Sequence, residues 1–256
     1  MAEDYIKLDL ENLENEHLCC AIAGKSHKHY QGVLNKKEWL EQQIPNGHVF
    51  KKLNERGKVF IEYGDIEDAF VPVVGENYLY IYCFWVSGKF KDKGYGKKLL
   101  ESAIADGKER GKNGICAIVG GTKKLPYLSD KKFLEKYGFK TVDNASPNFE
   151  LMALSFDDNY DDSLTPKFTD KSKLNKIDDE GLTVYYTNQC PFTNNTLKEI
   201  EEYCNEKEIK LTLIHVDTAQ KAKNLPIILN SFAVLYNGEY LTHELLTKSK
   251  LDKLLK

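Results

Sequence analysis

Residues Tyr78–Leu100 read YLYIYCFWVSGKFKDKGYGKKLL, and the character of the chain changes twice within them. Tyr78–Ser87 carries aromatic and β-branched side chains at nearly every position, the composition of a strand covered on both faces. From Gly94 the spacing becomes helical: Leu99, Leu100, Ala103 and Ile104 share one face, and Lys97, Lys98, Glu101 and Arg110 lie away from it. The join, Lys91-Asp92-Lys93-Gly94-Tyr95-Gly96, puts two glycines at the helix start. Glycines there leave backbone N–H groups unshielded, and the positive end of the helix dipole adds to them. Lys89, Lys91, Lys93, Lys97 and Lys98 surround those amides. The stretch predicts a strand, an anion-binding turn and a helix, and the anion it suits is a pyrophosphate. A solvated lysine loop over an ordinary β–α turn is the other reading of the same residues.

Spacing separates the known phosphate loops. A G-x-x-x-x-G-K-[ST] loop counted from Gly88 meets Lys93 where its second glycine belongs, and a G-x-G-x-x-G fingerprint meets Leu99 at its third. Lys91-x-x-Gly94-x-Gly96 instead resembles the [RQ]-x-x-G-x-[GA] loop of the GNAT family of N-acetyltransferases, with Lys91 where that family has Arg or Gln. The resemblance implies acetyl-CoA as cosubstrate. It places the pyrophosphate on Lys91, Asp92, Lys93, Gly94, Tyr95 and Gly96, and the pantetheine arm on main-chain groups of Trp85 and Val86.

Working outward, Tyr5–Leu10 alternates as a short strand, and Leu13–Ala23 reads as a helix containing Cys19-Cys20 beside His17. That trio could be a metal or redox site, but adjacent helical cysteines point to different faces, so packing is the better reading and no metal is expected. Lys36–Ile44 predicts a second short helix anchored by Trp39 and Leu40. His48–Leu53 and Lys58–Tyr63 predict a hairpin across Asn54–Gly57, with Gly57 supplying a positive φ. Ala69–Val74 reads as a strand leading into Tyr78–Ser87. Beyond the central helix come a buried strand Ile115–Val119 and a short helix capped by Ser129 and closed by Gly138. Strands over Lys140–Asp143 and Phe149–Phe156 complete the sheet. Phe133-Leu134-Glu135-Lys136-Tyr137-Gly138-Phe139 resembles the family's F-Y-E-K-x-G-F segment.

In that segment the tyrosine that often serves as general acid in the family falls at Leu134, which cannot donate a proton. Tyr127 and Tyr137 are the nearby candidates to replace it, although Tyr137 fits a packing role as well. Glu62 and Asp65 stand at or just beyond a strand end, where the family often has a general base. Solvated edge charges are the preferred reading of both.

Asp157–Glu180 is polar, lacks apolar periodicity and reads as a linker. It separates an acetyltransferase-like domain over residues 1–156 from a small domain over residues 181–256. The small domain runs strand Leu182–Tyr186, a helix through Glu206, strand Leu211–Val216, helix Thr218–Leu225, hairpin Phe232–Tyr236 and Glu239–Thr242 across Asn237-Gly238, and helix Lys248–Leu255. That order resembles a thioredoxin or glutaredoxin fold, with Cys190-Pro191-Phe192-Thr193 where those proteins carry Cys-x-x-Cys. A cysteine just before a helix is a candidate nucleophile, and Thr193 in place of the second cysteine leaves only one-thiol chemistry. A structural Cys-Pro turn is the alternative. The segments EHLCCAI, GKVFIEY, CFWVSGKFKDKGYG, FLEKYGF and YYTNQCPFT together are similar to the YoaP-type group of the GNAT family over nearly the full length.

The expected architecture is therefore α/β (α+β): a mixed, mainly antiparallel sheet flanked by helices, plus a small thioredoxin/glutaredoxin-like domain. The expected activity is acetyl transfer to an amine of a small molecule or peptide. A thiol-dependent redox protein centred on Cys190, with a CoA-binding sensor domain, is the alternative. A net charge of −3 argues against a general nucleic-acid or membrane-surface partner. The N-terminus has no apolar signal segment, no apolar run has membrane-spanning length, and six cysteines without a regular framework fit a reducing compartment, so the cytoplasm is expected.

Overall fold

The computed structural model describes residues 5–18, 20–157 and 164–255. The chain forms two compact units, one of Met1–Ile22, Leu40–Ala69 and Val73–Phe168, the other of Ala23–Trp39, Phe70–Pro72 and Thr169–Lys256. The boundaries differ from a simple division at residue 156, because two early segments cluster with the C-terminal residues.

The first unit is built on seven strands: β1 (Tyr5–Lys7), β2 (Val49–Leu53), β3 (Val59–Asp65), β5 (Tyr78–Val86), β6 (Gly114–Gly120), β7 (Lys140–Ala145) and β8 (Phe149–Ser155). Their order across the sheet is β1-β2-β3-β5-β6-β8-β7, and β5 with β6 is the parallel pair among antiparallel neighbours. Helix α2 (Tyr95–Glu109) connects that parallel pair. It buries Leu99, Leu100 and Ala103 against Ile61, Leu79, Ile81, Ile115 and Ala117, as the apolar spacing predicts. Those side chains are at most 2% exposed. Each contributes roughly 1.5–3 kcal/mol relative to exposure for residues of Leu or Ile size.

Several local expectations are corrected. Residues 13–15 lie in a turn and residues 16–18 in a bend and irregular backbone rather than a helix, and Cys19 lies outside the described residues. Just before them, Asp9 Oδ1 accepts from the N–H of Glu11 and Asn12, and Asn12 Oδ1 accepts from the N–H of Asp9. The helix anchored by Trp39 is longer than expected, α1 spanning Tyr30–Gln43. Gly57 is not in the left-handed region; instead, a Cβ there would lie 2.2 Å from the Phe90 ring. Close approach, not a positive φ, requires that glycine.

The expected strand Ala69–Val74 shrinks to β4 (Val73–Val74), which pairs with β9 (Lys167–Phe168). Phe168 is fully buried, and Asn175 Oδ1 accepts from the N–H of Ile228 at 3.0 Å. Residues 167–175 are thus packed structure rather than open linker. The short helix α3 (Lys131–Glu135) is capped by Asp130, whose Oδ1 accepts from the N–H of Phe133, and not by Ser129. The Lys124 ammonium holds the Asp130 carboxyl below its ordinary range.

The second unit contains β10 (Leu182–Tyr186), α4 (Thr193–Lys207), β11 (Leu211–His215), α5 (Ala219–Lys223), β12 (Phe232–Tyr236), β13 (Glu239–Thr242) and α6 (Lys248–Leu254). The sheet order is β11-β10-β12-β13, with β10 and β11 parallel and the other neighbours antiparallel. Asn237 and Gly238 both adopt positive φ at the β12–β13 turn, as an Asn-Gly hairpin requires. Its core is Leu182, Val184, Ile200, Phe232, Val234, Leu246 and Leu251.

At the start of α1, Gly32 lies so near Pro191 that a Cβ would fall 1.9 Å from the Pro191 carbonyl oxygen. Gly32→Ala is therefore expected to destabilise this unit by about 1–3 kcal/mol through overpacking, although alanine is the better helix former. Urea unfolding measures the loss, and an unchanged midpoint would contradict the close approach.

Candidate active site

The strand–turn–helix of residues 78–109 lies in the first unit. β5 pairs with β6 only from Tyr78 opposite Gly114 to Tyr80 opposite Cys116. Beyond that point β5 runs on to Val86 and β6 to Gly120 without pairing to each other, β6 remaining bonded to β8. The two strands therefore part like a wedge. The register of β5 against β3 shifts at the same place: Tyr63 faces Ile81 but Glu62 faces Cys83, so Tyr82 is the extra residue of a β-bulge. A bulge bends its strand and re-aims its groups.

Main-chain polarity along the free edge follows from the ladder. The N–H of Ser87 donates to the carbonyl of Lys58 at 3.0 Å, and antiparallel pairs alternate between bonded and non-bonded. Trp85 opposite Phe60 is then a bonded pair, with its N–H and C=O turned to β3. Phe84 and Val86 turn theirs into the wedge. The reading of Val86 as a main-chain partner fits this geometry. Trp85 turns its main chain to β3 instead, and Phe84, not singled out from the sequence, turns its own into the wedge. The Trp85 ring is 41% exposed, with Lys58 Nζ 5.8 Å from its centroid.

At the top of the wedge lies the loop. Gly88–Phe90 forms one 3₁₀ turn that buries Phe90, Asp92 has φ 61°, and Gly94 has φ 82° as the residue preceding α2. No side chain caps α2, and its first turn holds no acidic residue. The first N–H groups of such a helix have no intrahelical partner, so those of Tyr95, Gly96 and Lys97 are available to an anion. A Cβ on Gly88 or Gly94 would meet nothing within 4 Å, leaving open space over the turn. Lys89 pairs with Glu55 at 3.2 Å and Lys97 with Glu101 at 3.8 Å, both on the surface; Lys91 and Lys93 are exposed. The Tyr95 ring packs edge-on against Phe90, centroids 5.7 Å apart. Gly96 faces Phe133 and Phe84, at 3.4 and 3.6 Å from where a Cβ would stand.

The candidate acids are scattered. Tyr127 is 42% exposed, with φ 63°. The Tyr137 ring, in the turn that follows α3, lies 4.9 Å from that of Phe133 and packs against the core. Leu134 is fully buried. Cys190 belongs to the second unit and is half-buried; beside it in the chain, Thr193 is 2% exposed and its hydroxyl has no hydrogen-bond partner. Five described cysteines are free thiols. Among the described residues, no group of three or more His, Cys, Asp or Glu side chains is placed to hold a metal ion.

Reading Glu62 as a solvated edge charge is wrong. It sits mid-strand in β3 at 0% exposure, and its Oε1 lies 3.1 Å from Nε2 of His48, itself 4% exposed. The Tyr82 ring packs edge-on to His48 at 4.8 Å. Beside this pair, burial first, and then Cys116 and Tyr82, push the Tyr80 hydroxyl well above its ordinary pKa. Asp65 is also no edge charge, since it bonds Arg110 and, at 2.8 Å, Lys112. The sequence did carry a signal: His48 stands two residues before Phe50, the residue opposite Glu62 in the β2–β3 register.

Two family models match the chain: "Acetyltransferase (GNAT) family" over residues 10–139 and "YoaP-like" over residues 210–253. The chain is 41% identical over 251 residues to the "Uncharacterized N-acetyltransferase YoaP" of Bacillus subtilis (strain 168), covering 98% of each. Among solved structures it is similar to an acetyltransferase of the GNAT family from Desulfovibrio desulfuricans, with TM-score 0.43 and 16% identity over 60% of this chain and 99% of that one. It is also similar to the PaiA N-acetyltransferase of Thermoplasma acidophilum in complex with coenzyme A, with TM-score 0.41 and 21% identity over 61% and 100%.

Proposed function

The chain belongs to the acetyltransferase (GNAT) family, and on that premise we propose that its first unit transfers an acetyl group from acetyl-CoA to an amine of a small molecule or peptide. One observation carries the reading: a parallel strand pair parts directly below an uncapped, lysine-flanked helix N-terminus. The pyrophosphate sits on the amides of Tyr95, Gly96 and Lys97, with Lys91, Asp92, Lys93 and Gly94 shaping the turn. The pantetheine arm runs down the wedge along the main chain of Phe84 and Val86. The reacting thioester is then held where the strands rejoin, and positioning of this kind supplies much of the rate. Tyr127, exposed and outside the core, is the better of the two tyrosines as a proton donor. Incubation with radiolabelled acetyl-CoA and a panel of amines tests the activity by label transfer; no transfer to any amine, with the cofactor bound, would count against it.

The second unit is proposed to be thioredoxin-like, on the strength of its β10-α4-β11-α5-β12-β13-α6 order and its β11-β10-β12-β13 sheet. Cys190 is its candidate nucleophile. Cys190→Ser is expected to leave acetyl-CoA affinity within about twofold of the parent, as for sites that act independently. A large loss in calorimetric titration would mean that the two units share one site. The cytoplasm is the proposed location, on the free thiols; no helix among the described residues is long and apolar enough to cross a membrane.

A further inference from the structure

We infer that His17, Lys52 and Glu16 form a pH-sensitive clasp, which holds residues 8–18 to strand β2 and loosens in mild acid. The inference does not depend on the proposed acetyl-CoA site.

A lysine buried inside the sheet is the starting point. Lys52 lies in β2 between Ile6 of β1 and Phe60 of β3, and it is fully buried. Lysine is almost never found so deep unless its charge is paired. Glu16 Oε2 lies 2.7 Å from the Lys52 Nζ, and His17 Nδ1 lies 3.3 Å from it. All three residues belong to the first unit. Both partners come from the segment that follows β1, so the lysine ties that segment to the strand. The same segment buries Leu8, Leu13 and Leu18, each at most 2% exposed. Its main chain is held by the N–H of Leu8 on the Phe50 carbonyl, of Leu13 on the Asp9 carbonyl and of Glu16 on the Asn12 carbonyl.

The two partners of the lysine respond differently to acid. An ammonium only donates, so Nδ1 of His17 accepts from Lys52, and the clasped imidazole is neutral with its proton on Nε2. Protonation removes that acceptor and sets two cations 3.3 Å apart. Burial first, and then the Lys52 charge, hold the His17 ring below its ordinary pKa; Arg56 acts in the same direction, while Glu16 and a hydrogen bond to the Glu55 main chain oppose them. These groups face the ring from its own segment, from β2 and from the β2–β3 turn. The sign follows from linkage. Once released, the ring has the ordinary imidazole value of about 6.5 and binds a proton more readily than when clasped. The clasp is therefore complete above about pH 6.5 and is lost as the pH falls through the lowered value. The Lys52–Glu16 pair alone gives no such step, because both groups stay charged across that range.

The test is hydrogen exchange at the Leu8, Leu13 and Glu16 amides of the full-length protein at about pH 7.5 and about pH 5, corrected for intrinsic rates, with the His17 ring titrated by NMR. Opening of the segment is expected to rise about fivefold or more at the lower pH, and the ring to titrate below its ordinary value. His17→Asn puts a carboxamide oxygen, which accepts at either pH, where Nδ1 stood. Its opening is expected to change less than about twofold. Opening in the parent that is indifferent to pH, a His17 ring that titrates at or above its ordinary value, or the parent's full pH dependence in His17→Asn overturns the inference.

Discussion

Gly96→Glu is expected to weaken acetyl-CoA binding by about a hundredfold or more, equivalent to about 3 kcal/mol. Position 96 lies in the first turn of α2, whose uncapped amides are the proposed pyrophosphate seat. A β-carbon there stands 3.4 Å from Phe133 and 3.6 Å from Phe84, ordinary contact distances. Alanine therefore fits, whereas a glutamate must either press its carboxylate between two aromatic rings or swing it out towards the ligand. The first breaks the wedge wall, and the second sets a negative charge against a dianionic group at the positive end of the helix. Gly96→Ala is the control, expected to bind within a few-fold of the parent. Parental affinity in Gly96→Glu would refute the loop assignment.

Glu62→Ala is expected to destabilise the first unit by about 1–3 kcal/mol, the scale for leaving a buried hydrogen-bonding group without its partner. Glu62 and His48 are 0% and 4% exposed, so no water replaces the lost partner. The space left between Phe50, Tyr82 and His48 adds a cavity cost. Glu62→Gln keeps an acceptor for the imidazole and should lose much less. Urea unfolding of the first unit's transition checks both. A loss below about 1 kcal/mol in Glu62→Ala would mean the pair is not a structural anchor.

Periodicity made the strand–turn–helix readable. Leu99, Leu100 and Ala103 repeat as a helix face and are buried as one, and glycines stand where a turn needs them. The elements of residues 181–256 were equally legible because each apolar run is short, bounded and typical of its state. What stayed hidden depends on contacts distant in sequence. Gly57 looks like a turn glycine until Phe90 is brought against it. Glu62 reads as a surface charge because alternation alone does not show that both faces of β3 are covered, or that His48 waits on the neighbouring strand. The same limit applied to Trp85 and Phe84: which of two adjacent residues turns its main chain into the wedge depends on hydrogen-bond parity with β3, and the bulge at Tyr82 shifts that parity without any mark in the sequence.

The wedge and the helix N-terminus above it are proposed to hold acetyl-CoA through its pyrophosphate. Calorimetric titration of the full-length protein with acetyl-CoA, repeated in the presence of inorganic pyrophosphate, tests it most directly. One site per chain of micromolar affinity, weakened competitively by pyrophosphate, is expected. No heat of binding at millimolar acetyl-CoA, or binding indifferent to pyrophosphate, would contradict it.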